Sequence, residues 1–189
     1  MKRLLIGLDI DGVIVDATGA ILPFLSEACS RPVSREDITS YSIADALNMD
    51  GEKVHELWQR TIESGRLQRA APIDGALAGL SAISHHEIWI VTGRPSSLQE
   101  MTLSWFDANN VHYDTMVFDK RGIKNTAGPE FDVFVDDFID EVAAVAGSGI
   151  PALLFDQPWN QSESLPANCR RVYDWDAVVG AVRKLEAGP

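Results

Sequence analysis

Residues 4–15, Leu-Leu-Ile-Gly-Leu-Asp-Ile-Asp-Gly-Val-Ile-Val, constrain the fold of this chain more than any other stretch. The apolar run Leu4 to Leu8 shows no polar alternation, so it reads as a strand buried on both faces, as in a parallel sheet. Burying an unpaired carboxylate inside such a sheet costs several kcal/mol, on the order of ~5. Asp9 and Asp11 are therefore expected to emerge at the strand's carboxyl end, where open α/β sheets place their ligand crevice. Residues two apart on an extended chain point the same way, which predicts that the two carboxylates face one site. Like charges so close repel unless a cation or a shared proton relieves them, and Mg2+, a hard ion that prefers oxygen ligands, is the natural partner. Gly12 then permits a sharp turn or a close approach.

Further strands follow at intervals set by helical patterns. Ala17 to Cys29 places Ile21, Leu22, Phe24, Leu25 and Ala28 at helical spacing. The chain from Arg31 to Ala71 is more polar, broken by Pro32, Gly51 and Gly65, and shows no convincing strand pattern; its clearest piece is Gly51 to Ser64, with Val54, Leu57, Trp58 and Ile62 on one face. Asp74 is placed to cap a helix running through Ile83. Strands are expected at Glu87–Val91, Tyr113–Phe118, Phe131–Val135 and Pro151–Phe155. Helices are expected after Ser96 or Ser97, over Ile139–Ala146 and over Asp174–Leu185. Alternating strands and helices imply an α/β fold, a Rossmann-like parallel sheet with helices on both faces. A small helical cap, residues 18–71, is inserted after the first strand, leaving residues 1–17 and 72–189 as the core.

Bulk composition narrows the partners. A formal net charge of −12 over 189 residues excludes the basic stripe of a nucleic-acid-polymer binder, while leaving room for a small anionic substrate. Asp9 and Asp11 interrupt the first apolar run too soon for a signal peptide or membrane span. Cys29 and Cys169 lack metal-ligand spacing and do not suggest a disulfide framework, so a soluble, cytoplasmic protein is expected. Oligomeric state is not legible.

The ends of the predicted strands carry one coherent set of groups. Asp9 and Asp11 close the first, Thr92 the second, and Asp136 with Asp137 the fourth, with Lys120 and Lys124 shortly before. A nucleophile, a second carboxylate, a hydroxyl donor, a cation and metal ligands are what phosphoryl transfer needs. Asp9-Ile10-Asp11-Gly12-Val13, Val91-Thr92-Gly93-Arg94-Pro95, a downstream lysine and Val135-Asp136-Asp137 resemble the four motifs of the haloacid dehalogenase (HAD) superfamily of phosphohydrolases. More narrowly, Pro72-Ile73-Asp74-Gly75-Ala76 and Leu154-Phe155-Asp156-Gln157-Pro158-Trp159-Asn160 resemble segments of the type C 5′-nucleotidases, the group that includes the 5′(3′)-deoxyribonucleotidases.

That resemblance implies a Mg2+-dependent phosphomonoesterase with an aspartyl-phosphate intermediate. Asp9 would attack phosphorus, and Asp11 would protonate the leaving oxygen and then take a proton from water. Thr92 and the amide of Gly93 would hold phosphate oxygens, with Arg94 a further candidate substrate contact. Lys124, preferred over Lys120 for its place in Ile-Lys-Asn-Thr, would neutralise nucleophile and phosphate. Mg2+ would be held by Asp9, by the backbone carbonyl of Asp11, by Asp137 directly and by Asp136 through water. The insertion sits where the superfamily places a lid over the site. A nucleoside monophosphate is the expected substrate, with a sugar phosphate or another small phosphate ester as the alternative. A HAD-fold binding or regulatory protein with weak turnover is the reading from another class. Some deoxyribonucleotidases carry an arginine directly after the aspartate pair where this chain has Phe138, so their substrate preference does not carry over.

Each residue also has a plainer reading. Asp136 or Asp137 could cap the following helix, Arg94 could brace the crevice loop instead of substrate, and Trp58 could be cap core rather than a stacking platform. His85 and His86 read as a solvated turn rather than a metal site, and Trp159 as packing its loop over the sheet.

Overall fold

The computed structural model describes residues 2–118, 130–161 and 164–188. Six parallel strands, β1 (Leu5–Leu8), β2 (Glu87–Val91), β3 (Thr115–Val117), β4 (Val133–Asp136), β5 (Ala152–Phe155) and β6 (Cys169–Val172), form one sheet in the order β3-β2-β1-β4-β5-β6. Leu8 lies opposite Ile90 on one side and Val135 on the other, so β1 is central and its apolar run is explained by burial on both faces. Side chains alternate: Leu4, Ile6 and Leu8 join one apolar cluster with Trp175 and Val178, while Leu5 turns toward Phe134 and Val142 on the opposite face. Gly7 belongs to that second face, and a Cβ there would overlap the Phe134 ring.

Helices cover both faces, as expected. α4 (Ala76–Ile83) and α7 (Trp175–Ala187) contribute to the first cluster with Trp105 and Phe106 of α5 (Gln99–Ala108), and α6 (Ile139–Gly147) covers the second. Between β1 and α4 lie α1 (Ala17–Cys29), α2 (Ile43–Leu47) and α3 (Gly51–Glu63). Ile21 and Leu25 of α1, Leu57 of α3, Val33 and Ile38 form a third cluster, and Trp58 packs against it, which is the core role rather than the stacking one. Asp16 caps α1, its carboxylate accepting the Gly19 N–H at 2.6 Å and pairing with Arg35. No helix among the described residues is long and apolar enough to cross a membrane.

Several local expectations need correction. Asp74 does not cap α4: Gly75 occupies the cap position at φ +79°, a left-handed conformation that glycine takes without strain. Neither Ser96 nor Ser97 caps α5, because Ser96–Leu98 forms a 3-10 turn before it. β6 was not expected; Cys-Arg-Arg-Val lacks an apolar pattern because it is an edge strand, held by backbone pairing to β5. His86 is buried to 1% exposure, its Nδ1 accepting the Leu4 N–H at 3.3 Å, so only His85 of that pair behaves as a surface residue.

Candidate active site

In this strand order the chain leaves β1 toward β2 on one side and reaches β4 on the other, which opens a crevice at the carboxyl ends of β1 and β4. Asp9 enters it directly, its N–H extending the ladder to the Val135 carbonyl at 2.9 Å. The chain then turns: the N–H groups of Ile14 and Val15 both donate to the Ile10 carbonyl at 2.8 Å, and Gly12 adopts φ +79°. Any side chain on Gly12 would overlap the Asp137 carboxylate, so the glycine is what lets the β1 and β4 ends approach. The turn is braced from two further elements. The Trp175 indole donates to the Val13 carbonyl at 2.8 Å, and the Gln157 amide donates to the Gly12 carbonyl at 2.6 Å.

Asp9, Asp136 and Asp137 are all buried, and each offers a carboxylate oxygen within 4.8 Å of those of the other two. Three desolvated carboxylates at that spacing repel strongly unless a cation lies among them. The donor set is all oxygen and anionic, which fits a hard divalent cation and not a soft one. Asp136 also accepts the Phe138 N–H at 2.9 Å, but neither aspartate caps α6: Phe138 takes the cap position, with no side-chain cap bond.

Asp11 stands outside that three-carboxylate cluster, two residues past Asp9 and beyond the end of β1. Its carboxylate receives two bonds from Arg94, Nε to Oδ2 at 3.0 Å and Nη2 to Oδ1 at 2.6 Å. The third guanidinium nitrogen, Nη1, donates to Thr102 Oγ1 on α5 at 3.1 Å. Arg94 is 5% exposed. Burial works against its charge, but the attraction and hydrogen bonds of Asp11, with Asp9 adding to them, outweigh burial and hold the guanidinium above its usual pKa. Thr92, buried at the end of β2, accepts the Arg94 N–H on Oγ1 at 3.1 Å, with half-buried Gly93 between them. Lys120 and Lys124 lie outside the described residues.

The sequence reading missed three contacts that shape this site. Trp159 does more than pack its loop: its ring joins the third apolar cluster, with α1 and α3, and its indole N–H reaches Asp137 Oδ2 at 3.0 Å. Asn160 donates to the backbone carbonyls of Asp137 and Phe155, both at 2.8 Å, which ties the β4 and β5 ends together. Phe138 stacks on Tyr41, ring centroids 3.9 Å apart and 21° from parallel, which joins residues 18–71 to the sheet beside Asp137. The run Gln157-Pro158-Trp159-Asn160 carried the only sequence signal for the first two contacts; Tyr41 carried none. Phe24 lies under the Arg60 guanidinium at 4.5 Å, and Arg66 Nε donates to the Ala20 carbonyl at 3.0 Å.

The sheet order and the strand-end crevice are those of the HAD fold, and solved structures share it. A HAD-like family hydrolase, SP0104 from Streptococcus pneumoniae, superposes with a TM-score of 0.64 at 12% identity, covering 95% of this chain and 98% of that one. The candidate HAD-hydrolase YfnB from Bacillus subtilis, solved with bound magnesium, gives a TM-score of 0.64 at 14% identity over 97% of this chain and 100% of that one. The chain belongs to the type C 5′-nucleotidase family, whose description, "5' nucleotidase, deoxy (Pyrimidine), cytosolic type C protein", matches residues 3–186. It is a phosphoric monoester hydrolase by that membership. A candidate nucleotidase of Halalkalibacterium halodurans, BH1399, is 32% identical over 178 residues, which cover 92% of this chain and 90% of that protein. YqfW of Bacillus subtilis, also named as a candidate nucleotidase, is 29% identical over 174 residues, covering 90% of this chain and 89% of that protein.

Proposed function

We propose that this protein is a Mg2+-dependent phosphomonoesterase that works through an aspartyl phosphate on Asp9 and takes nucleoside 5′-monophosphates. The observation that carries the reading is the buried Asp9–Asp136–Asp137 cluster with a second carboxylate, Asp11, held beside it by Arg94. Asp9 and Asp137, the backbone carbonyl of Asp11, and Asp136 through water would hold Mg2+. When bound, the ion neutralises charge on the cluster and on the phosphate oxygens.

An Asp9 carboxylate oxygen attacks phosphorus in line, forming an acyl phosphate as the ester P–O bond breaks. The leaving oxygen takes its proton from Asp11, and the alcohol departs. Water then attacks phosphorus, its proton passing to the Asp11 carboxylate; Asp9 and inorganic phosphate are released, and Asp11 is protonated again for the next turnover. Thr92 accepts the Arg94 N–H, which leaves its hydroxyl hydrogen to donate to a phosphate oxygen alongside the Gly93 amide. Lys124, with Lys120 as the alternative, supplies the cation. Residues 18–71 act as a lid over the core formed by 1–17 and 72–189, excluding water during transfer. The Tyr41–Phe138 stack supports a flat leaving group, because it puts aromatic surface one residue from Asp137. The family's description as cytosolic supports a cytoplasmic setting.

Phosphate release from deoxyribonucleotides, ribonucleotides, sugar phosphates and 4-nitrophenyl phosphate, with and without Mg2+, tests this reading beside Asp9→Asn. Metal-dependent release that favours nucleotides and is abolished in the variant is expected. Preference for sugar phosphates would move the substrate, and no release from any ester would make the binding-protein reading the leading one.

A further inference from the structure

From the geometry around Asp11 we infer that Arg94 is a positioning residue for the acid–base carboxylate, and not a ligand for the substrate's phosphate. The inference rests on the mechanism above, in which Asp11 moves the proton. All three guanidinium nitrogens of Arg94 already have partners, two on Asp11 and one on Thr102, and the side chain is buried. Three of its five N–H groups are thereby engaged, two by Asp11 and one by Thr102. Asp11, in contrast, keeps its side chain 39% exposed.

A carboxylate offers about four lone-pair sites, and the fork occupies one on each oxygen. A site on each oxygen remains, and with the side chain 39% exposed a leaving oxygen can reach it. Asp11 sits on a turn past the end of β1, so backbone alone does not hold its rotamer. The two-point grip fixes the plane of the carboxylate, a task a single ammonium cannot perform because a point charge sets distance but not plane. Thr102 anchors the other side of the guanidinium: its hydroxyl accepts from Arg94 and donates to the Leu98 carbonyl at 2.8 Å. The chain of contacts thus runs from the first turns of α5, through Arg94, to the proton-carrying carboxylate. Its sequence signature is Thr-Gly-Arg-Pro followed by a threonine eight residues after the arginine.

Leaving-group chemistry separates positioning from phosphate binding. Departure of a nucleoside 5′-oxygen needs a proton, whereas 4-nitrophenolate leaves with little help. The ratio kcat/KM reports every step through the transfer to Asp9, so it registers loss of the acid and ignores the later hydrolysis. For Arg94→Lys, kcat/KM on thymidine 5′-monophosphate is expected to fall about 30- to 100-fold, and on 4-nitrophenyl phosphate less than about 5-fold. The inhibition constant of inorganic phosphate should stay within about 2-fold of wild type, because the phosphate site has lost no contact. Thr102→Val is the gentler variant. It removes only the outer anchor, and should show the same selectivity for the nucleotide at a smaller amplitude, about 3- to 10-fold. If Arg94→Lys does not fold, as read by circular dichroism, Thr102→Val decides alone.

Equal losses on the two esters, or a phosphate inhibition constant that rises with the loss of activity, would overturn the positioning role and assign Arg94 to phosphate. Unchanged kinetics in a folded Arg94→Lys would overturn it as well. Wild-type protein that hydrolyses neither ester would remove the phosphatase reading and this inference together; active wild type with uniform losses in the variants would remove the inference alone.

Discussion

The indole N–H of Trp159 donates to Asp137 Oδ2 at 3.0 Å while the ring of Trp159 is packed among Ile21, Leu25 and Leu57, so one side chain belongs both to the carboxylate cluster and to the helices above it. A hydrogen bond to an ionised carboxylate in a buried setting orients it and keeps it available to a cation. Trp159→Phe keeps the ring and removes the donor. Losing such an outer partner is expected to weaken Mg2+ binding by about 10- to 100-fold, measured by isothermal titration calorimetry, with the fold intact by circular dichroism. Binding unchanged in the variant would show that the contact is packing alone.

Gly12 admits the Asp137 carboxylate at a position where a Cβ would overlap it, and its φ of +79° adds backbone strain for any other residue. Gly12→Ala is expected to destabilise the fold by at least about 1 kcal/mol through its backbone alone and to displace Asp137. Thermal unfolding and Mg2+ titration should both deteriorate. A variant with normal Tm and normal Mg2+ affinity would contradict the close approach described here.

Gln157 uses both ends of its amide, donating to the Gly12 carbonyl at 2.6 Å and accepting from Arg35 Nη1 at 3.2 Å, and it is buried. It connects the turn that carries Asp11 to a residue of the inserted segment. Gln157→Leu leaves the Gly12 carbonyl without this donor and should cost about 1–3 kcal/mol in chemical denaturation. In a double-mutant cycle with Arg35→Ala the two losses should not add, falling short by about 0.5 kcal/mol or more. Strict additivity would mean that the two residues act independently.

His86 gives the fold a pH dependence. Burial lowers its pKa below the usual 6.5, the neighbouring His85 and Arg3 push the same way, and Glu186 and Asp132 oppose them. Its Nδ1 accepts the Leu4 N–H, a bond only the neutral ring can make in that sense. The unfolded chain therefore takes up the proton more readily than the folded one. The stabilisation is fully present above about pH 6.5 and is lost as pH falls through the lower folded value. Tm should decline on acidification from about pH 7 to 5, and the decline should be shallower in His86→Gln. Identical slopes would assign the acid sensitivity to other groups.

Sequence patterns that act over a few residues were sufficient for much of this molecule. The unbroken apolar run at Leu4 to Leu8 predicted the central strand, because only a strand covered on both faces tolerates such composition. Helical spacing located α1 at Ala17–Cys29, and the stripe Val54, Leu57, Trp58, Ile62 located α3. Cost of burial placed Asp9 and Asp11 past the end of the first strand, and the pattern Phe131–Val135 put Asp136 and Asp137 at the end of another; the structure brings Asp9, Asp136 and Asp137 into one cluster.

Tertiary structure decided the rest. Arg94 meets Asp11 across 83 residues of chain, Gln157 meets Gly12 across 145, and Trp159 meets Asp137 from a different strand end. None of these partners has a local pattern, because a side-chain hydrogen bond depends on which strand ends become neighbours and not on periodicity along one element. β6 and the burial of His86 are of the same kind: an edge strand is defined by its neighbour's backbone, and His86 is covered because the turn it sits on closes over the start of β1. The sequence by itself determined five of the six strands and the strand-end carboxylates, since those follow from burial and periodicity. Which carboxylate joins the cluster and which is gripped by an arginine was settled only when the strands came together, since that depends on distances between residues far apart in the chain.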